Sequence, residues 1–386
     1  MICRSAVVAG LLLILVTSLA QAQPATPEQE TPAFPGISGV RETSGTPEAP
    51  LATPRALEAE PESAPPPEAE YADDPELSHL TFCEGSGGSF VPPIGYDYYF
   101  RPHYARVDAL FLQRTNTVNG QTVVQTSGTG APVVVTGDFD FPMVAGPKIL
   151  LGKRSDAYSA WEGLYFGTHF WGSTVTASDA DNLDLPGAVG LGAADFLLAD
   201  EMAVSYSSQL HNAELNYVRL GDEVSYLAGF RYLNWNERFQ IRTDDNASHS
   251  LYDLNTTNNL FGAQLGAQAC WIGPHVDWEL IGKAGIFGNT ANARQRLSDI
   301  NDTVALRDLE ASGSSFSFVG DLNLNAVRRL DEVWQLRVGY NVMLVTGLAL
   351  APDQLDFTNT PTSGTRLDRE GSVFLHGANV GIEAQW

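Results

Sequence analysis

The chain has 386 residues, a net charge of −24 and 44% hydrophobic residues. That charge argues against a nucleic-acid partner, which is held by clustered Lys and Arg. Three cysteines, of which Cys83 and Cys270 follow the leader described next, make neither a disulfide framework nor a zinc pattern.

Residues 1–22, "MICRSAVVAGLLLILVTSLAQA", read as a secretory signal peptide. Arg4 supplies the positive region, Ala6–Leu19 the apolar region, and Ala20-Gln21-Ala22 a small-x-small cleavage site. A transmembrane anchor is the weaker reading, because the run is short and polar residues follow it. Beyond Ala22 no apolar run approaches the ~20 residues of a spanning helix, which leaves a soluble exported protein or a membrane β-barrel.

Residues 23–70 contain eleven prolines and nine glutamates between positions 24 and 70. Such a stretch cannot bury enough surface to offset chain entropy, so it reads as a disordered acidic spacer. Contact with peptidoglycan or another envelope polymer is the alternative role. Residues 71–103 form a transition ending in "YDYYFRPHY".

From Tyr104 onward, period-2 alternation predicts ten strands: 104–114, 143–153, 160–171, 207–220, 224–235, 257–271, 276–288, 314–326, 333–345 and 373–386. Residues 122–137 can add a hairpin above the barrel, raising the count to twelve. The gaps between these strands alternate long and short without exception. Outer-membrane barrels have this asymmetry, with short periplasmic turns and long external loops. Ten strands place both termini on the periplasmic side.

A third signal is a ring of aromatic residues at the short-turn ends: Tyr104, Trp161, Tyr217, Tyr226, Trp271, Trp334 and Trp386. Amphipathic rings favour a membrane–water interface. Hydrocarbon demands that every backbone polar group be paired internally, which a sheet achieves only by closing. The expected fold is therefore all-β: a transmembrane antiparallel up-and-down barrel over 104–386, apolar face to the lipid. The final stretch "GANVGIEAQW" places Asn379, Gly381, Ala384 and Trp386 at the spacing of a C-terminal signal for barrel-assembly machinery.

The polar face then lines the interior. Its charged members are Arg106, Asp108, Glu214, Arg231, Asp277, Glu279, Lys283, Asp321, Arg337 and Glu383. Six of the ten are acidic, so a conduit along this face would weakly favour cations. Barrels near eight strands are filled by side chains whereas 16–18 strands leave an aqueous channel, so ten strands suggest a narrow or gated pore.

The segments "GFRYLNWNERF" (229–239), "NNLFGAQLGAQ" (258–268) and the final strand resemble the beta-barrel porin family abundant in planctomycetes. The resemblance covers roughly 104–386 and implies an outer-membrane barrel with a porin role. It transfers no catalytic or ligand residue.

Two other classes stay in view. A rim hydrolase would draw on His169 and on Asp244, Asp245, Ser248, His249 and Ser250 of "DDNASHS"; a polar loop is the plainer reading. A binding or structural barrel would act through loops 181–195, 244–259 and 289–312. No cofactor or metal is expected. Cys83 and Cys270 fall on the same side, where a disulfide could tether 71–103 under the barrel mouth; two separate thiols are the alternative. Whether the chain forms a homo-oligomer is open at this stage.

Overall fold

The structure, a computed structural model, describes residues 101–386 except 117–119, 188, 190–193, 222–223, 245–247, 300 and 302. The expected signal peptide and spacer, most of the expected transition segment and Cys83 lie outside the described residues.

Twelve strands run in chain order: β1 His103–Thr115, β2 Thr122–Thr126, β3 Pro132–Val135, β4 Val144–Asp156, β5 Ser159–Asp184, β6 Ala199–Arg219, β7 Val224–Asp244, β8 Leu251–Trp271, β9 Asp277–Asp299, β10 Val304–Arg329, β11 Trp334–Leu348 and β12 Gly371–Gln385. Ten of them close a ring. β1 pairs β4 and β12, β5 pairs β4 and β6, and β6 to β12 pair in sequence, every ladder antiparallel. β2 and β3 form the expected hairpin outside the ring, hooked to the far end of β5 through Gln125–Asp184 and Thr126–Leu183. Among the described residues, helical turns are confined to Thr136–Asp138, Ala194–Phe196 and Pro352–Gln354.

Two of the three predicted long loops are mostly strand, and the third begins as strand. β9 runs 23 residues to Asp299 and β10 runs 26 from Val304, so both enter the span predicted as loop 289–312. β8 starts at Leu251, inside the predicted loop 244–259. β5 runs to Asp184, just inside loop 181–195. A strand needs only ~9–11 residues to cross a membrane, so β5 to β10 continue well past it. β1, β4, β11 and β12 run 13–15 residues, and the wall is low there.

The alternation explains where lipid ends. On β9 the outward residues are Trp278, Leu280, Gly282, Ala284 and Ile286, then Gly288, Thr290, Asn292, Arg294 and Arg296. On β7 they are Tyr226, Ala228, Phe230 and Tyr232, then Asn234, Asn236, Arg238 and Gln240. The apolar part rises roughly 20–25 Å for tilted strands, the height of an outer-membrane apolar band. Above it the inward positions turn apolar instead: Leu233, Trp235, Phe239 and Ile241 on β7, Val204, Tyr206 and Leu210 on β6. The hydrophobic phase inverts within single strands, as expected where the surroundings change from lipid to water.

Candidate functional site: the barrel interior

The interior has two storeys. In the short-turn half, charged side chains from facing strands form direct ion pairs. Arg106 Nη2 lies 2.9 Å from Glu383 Oε2, and Arg337 bridges Glu383 and Glu279. Arg231 Nη1 lies 2.5 Å from Asp321 Oδ2 and its Nε 3.6 Å from Glu214. Lys283 Nζ donates to both oxygens of Glu214, at 3.0 and 2.9 Å. Amides complete the layer: Asn325 donates to Glu279, Gln264 to Glu214, and Asn341 to Asn379.

Nine of the ten expected lumen charges therefore sit inside on β1, β6, β7, β9, β10, β11 and β12. The tenth, Asp277, starts β9 at the mouth, where Oδ1 accepts from the Gly273 backbone N–H at 3.2 Å and closes the turn. Asp108 is buried, and neither of its carboxylate oxygens meets a donor among the described residues. Two charges of this layer were missed from sequence, Lys148 and Glu162, as were Arg114 and Glu237 of the far half. Pro147 and Gly152 interrupt the β4 pattern, and Glu162 shares the parity of Leu164 and Phe166, whose bulk suggested the lipid face of β5 although both are buried inside.

The far half is an apolar core. Phe139 and Phe141 pack edge-on against Tyr206, and Phe139 also against Phe239, with ring centroids 5.2–5.9 Å apart. Leu350, Ala351, Leu355 and Phe357 are buried from the other connecting segment. Two loop segments, 136–141 and 348–357, thus fold inward and fill the barrel above the charged layer. Asn258 exchanges hydrogen bonds with the Ala349 backbone, Gln295 donates to the Gln354 carbonyl, and a buried cluster adds a further anchor. Arg114 bonds Tyr206 Oη, reaches Glu237 Oε1 at 2.9 Å and Ser208 Oγ at 2.8 Å. Glu237 also accepts from Tyr206 Oη (2.9 Å), Trp235 Nε1 (2.9 Å) and the Ala351 backbone N–H (2.7 Å). The last bond ties the inserted segment to the wall. Nearby, burial first and then the Asp368 and Glu237 charges push the Asp353 carboxyl up to about 6.

Between the storeys lies a cavity of about 70 Å³. Its lining mixes charged and polar side chains, among them Arg106, Lys148, Glu162, Lys283 and Asp321, with hydrocarbon from Leu110, Leu150, Leu164, Phe166 and Met343. On the usual measure this holds roughly five waters.

Six of the seven expected ring residues face outward and one does not. Trp161, Tyr217, Tyr226, Trp271, Trp334 and Trp386 are exposed on the outer face at the short-turn end, joined by Trp278 opposite Trp271. Tyr104 is inside. Its register puts it on the Arg106 face of β1, its ring lies over Gly152 where a methyl group would overlap it, and its hydroxyl donates to Glu162 at 2.7 Å. Parity along the strand outweighs ring type, because a one-residue shift moves a side chain to the opposite face.

In β12, Asn379 and Gly381 face inward while Ala384 and Trp386 face outward, and Trp386 exchanges both backbone hydrogen bonds with His103. Cys270 lies on the inward face of β8 near the mouth, with the Gln268 amide 3.9 Å from its sulfur. The suggested hydrolase residues are dispersed. His169 is buried in the barrel with Nε2 2.9 Å from the Leu110 carbonyl, and Ser248 and Ser250 both donate to Asp195. Asp244 ends β7, His249 lies in the β7–β8 connection, and Asp245 lies outside the described residues. No metal-binding cluster of three His, Cys, Asp or Glu occurs among the described residues.

Known proteins resemble this arrangement in part. The family described as "Putative beta barrel porin-7 (BBP7)" matches residues 191–386, just over half of the chain. No curated protein matches. Among solved structures, the outer membrane protease OmpT from Escherichia coli is 8% identical over 74% of this chain and 97% of its own, with a TM-score of 0.40. The translocator domain of the autotransporter NalP from Neisseria meningitidis is 13% identical over 75% and 90%, with a TM-score of 0.34. A FadL homologue from Pseudomonas aeruginosa is 10% identical over 74% and 90%, with a TM-score of 0.23. With a lipid-facing apolar band, a closed ten-stranded wall and that family match, the chain belongs to the beta barrel porin-7 family and is an outer-membrane β-barrel.

Proposed function

We propose that the protein is a passive channel for small hydrophilic solutes whose resting state is closed from the tall end. The observation that carries this reading is the nature of the closure. The wall is complete and a cavity adjoins the charged layer, while the obstruction above it consists of two loop segments, 136–141 and 348–357, held to the wall by side-chain bonds such as Glu237–Ala351, Asn258–Ala349, Gln295–Gln354 and Gln113–Phe141. Loops can move where a wall cannot. The short-turn end faces the periplasm in this reading, which delivers the N-terminal spacer there. The acidic excess among the lumen charges gives the open state a weak preference for cations. Catalysis has no part in it, and a contact of the spacer with an envelope polymer is an added role.

Planar-bilayer conductance tests this, with refolded wild type beside a variant whose residues 349–358 are replaced by a short Gly-Ser linker. Rare wild-type openings and frequent stepwise, weakly cation-selective openings of the variant are expected. Folded protein with no openings in either form removes the channel reading. A second reading would then hold: a non-conducting barrel that binds ligands or neighbouring surfaces through the external sheet. The continuation of six strands beyond the apolar band favours it.

A further inference from the structure

The charges of the membrane-spanning interior are almost all spoken for. Arg106, Arg231, Lys283 and Arg337 each hold a carboxylate directly. Glu162 accepts the Tyr104 hydroxyl. Lys148 differs. It has no carboxylate within ion-pair distance among the described residues, and its only hydrogen bond is a long one, 3.5 Å, to Asn341 Oδ1. Asp108 stands directly opposite it in the β1–β4 ladder. Even so, the two form no ion pair: the Asp108 carboxylate lies against Gly381, where a methyl group would overlap it, while the Lys148 amine borders the cavity. Lys148 is half-buried, and a cation drawn out of bulk water without a partner is costly and is normally paired.

The cavity sets hydrocarbon beside charge: Phe166 stands opposite Lys148 in the β4–β5 ladder, and Leu164 opposite Leu150. Leu110, Leu150, Leu164, Phe166 and Met343 offer hydrocarbon, and Lys148 offers one positive charge not otherwise engaged. We infer that this cavity is a binding site for a small monocarboxylate with a short hydrocarbon tail. The carboxylate accepts from Lys148 Nζ and the tail lies on the leucine, phenylalanine and methionine wall. One amine balances one negative charge; a dianion such as phosphate would bring an unbalanced second charge beside Glu162 and Asp321. The volume restricts the ligand to roughly the bulk of five waters, a chain of about four carbons. Such a site does not require the barrel to conduct.

The test is isothermal titration of the refolded full-length protein in a zwitterionic detergent, with sodium butyrate, n-butanol and sodium phosphate as probes. Butyrate should bind saturably at one site, and butanol and phosphate should not. Lys148→Met, which keeps the length of the side chain and removes the charge, should weaken butyrate about thirtyfold or more. Met343→Phe, which keeps the charge and narrows the cavity, should also abolish binding. Resistance of the folded band to unheated gel denaturation establishes that each variant is a closed barrel. Lack of butyrate binding by wild type overturns the site. So does equal binding of butyrate to wild type and Lys148→Met, which would mark a merely greasy cavity. Binding with no conductance keeps the site and removes the channel; conductance without binding does the reverse.

Discussion

The two storeys of this barrel are built from the same strands on opposite rules. In the short-turn half of β7, Phe230 faces lipid and Arg231 faces inward; ten residues on, Gln240 faces out and Ile241 faces in. The lower half resembles a membrane protein, apolar outside with a polar interior satisfied by ion pairs. The upper half resembles a soluble β-protein, polar outside with an aromatic core. The difference shows that the barrel wall is neutral to burial. What surrounds each storey, lipid or water, decides which face carries hydrocarbon, and the inversion of phase within a strand marks the boundary.

The comparison is broken most severely at Glu237. Its buried carboxylate serves Arg114, Tyr206, Trp235 and Ala351. Glu237→Ala leaves a buried guanidinium uncompensated and should cost about 3–5 kcal/mol in reversible unfolding. Asp321→Asn in the lower storey should cost about 1 kcal/mol, because Asp321 borders the cavity and Glu214 remains to hold Arg231 and Lys283. Equal costs would mean the two interiors are not different in kind.

The boundary itself can be located with one residue type. Lysine at Leu265, in the middle of the apolar band, should cost about 2–4 kcal/mol of folding stability in bilayers. Lysine at Asn292, above the band, should stay within about 0.5 kcal/mol. A comparable loss at both sites would place lipid higher than the phase inversion does.

The smallest effect expected is pH dependence of the inserted segment. Asp353 has its carboxyl raised from 3.8 to about 6, chiefly by burial. A carboxyl raised on folding favours the protonated, folded form, so its contribution is full at acid pH and falls as pH climbs from about 4 through 6. Hydrogen exchange of backbone amides in 348–357 should therefore quicken across that window, after correction for intrinsic rates. Asp353→Asn should flatten the dependence. A flat wild-type profile would mean the carboxyl is not buried with the segment.

Much of this was legible in the sequence, because a closed membrane sheet leaves few ways to arrange period-2 segments. The ten strands, the hairpin and nine inward charges followed from parity and turn spacing. The upper storey was not recognised, although "FRYLNWNERFQIR" carries its signal: Phe230 and Trp235 differ in parity, so the apolar face must change sides between them. Residues such as Asn292 and Arg294 resembled loop because water tolerates polar residues in a strand as readily as in a turn. The inserted segments were invisible for another reason. Leu350, Leu355 and Phe357 have no periodicity, and their burial depends on a cavity that only the closed wall creates. Tyr104 was misplaced because its ring suggested an interface that its parity denied.

One feature of the closure reaches back into how the molecule is made. The ring is sealed by β1 against β12, with His103 bonded to Trp386 across nearly the whole described chain. Bringing such distant ends together costs on the order of 5 kcal/mol of loop entropy before any seam bond is formed. The other strand pairings are hairpin-like, so a nearly complete sheet can exist with both of its outermost edges bare. During synthesis and delivery the molecule is thus a ribbon with two adhesive margins. Its safe passage depends on how long those margins wait for each other.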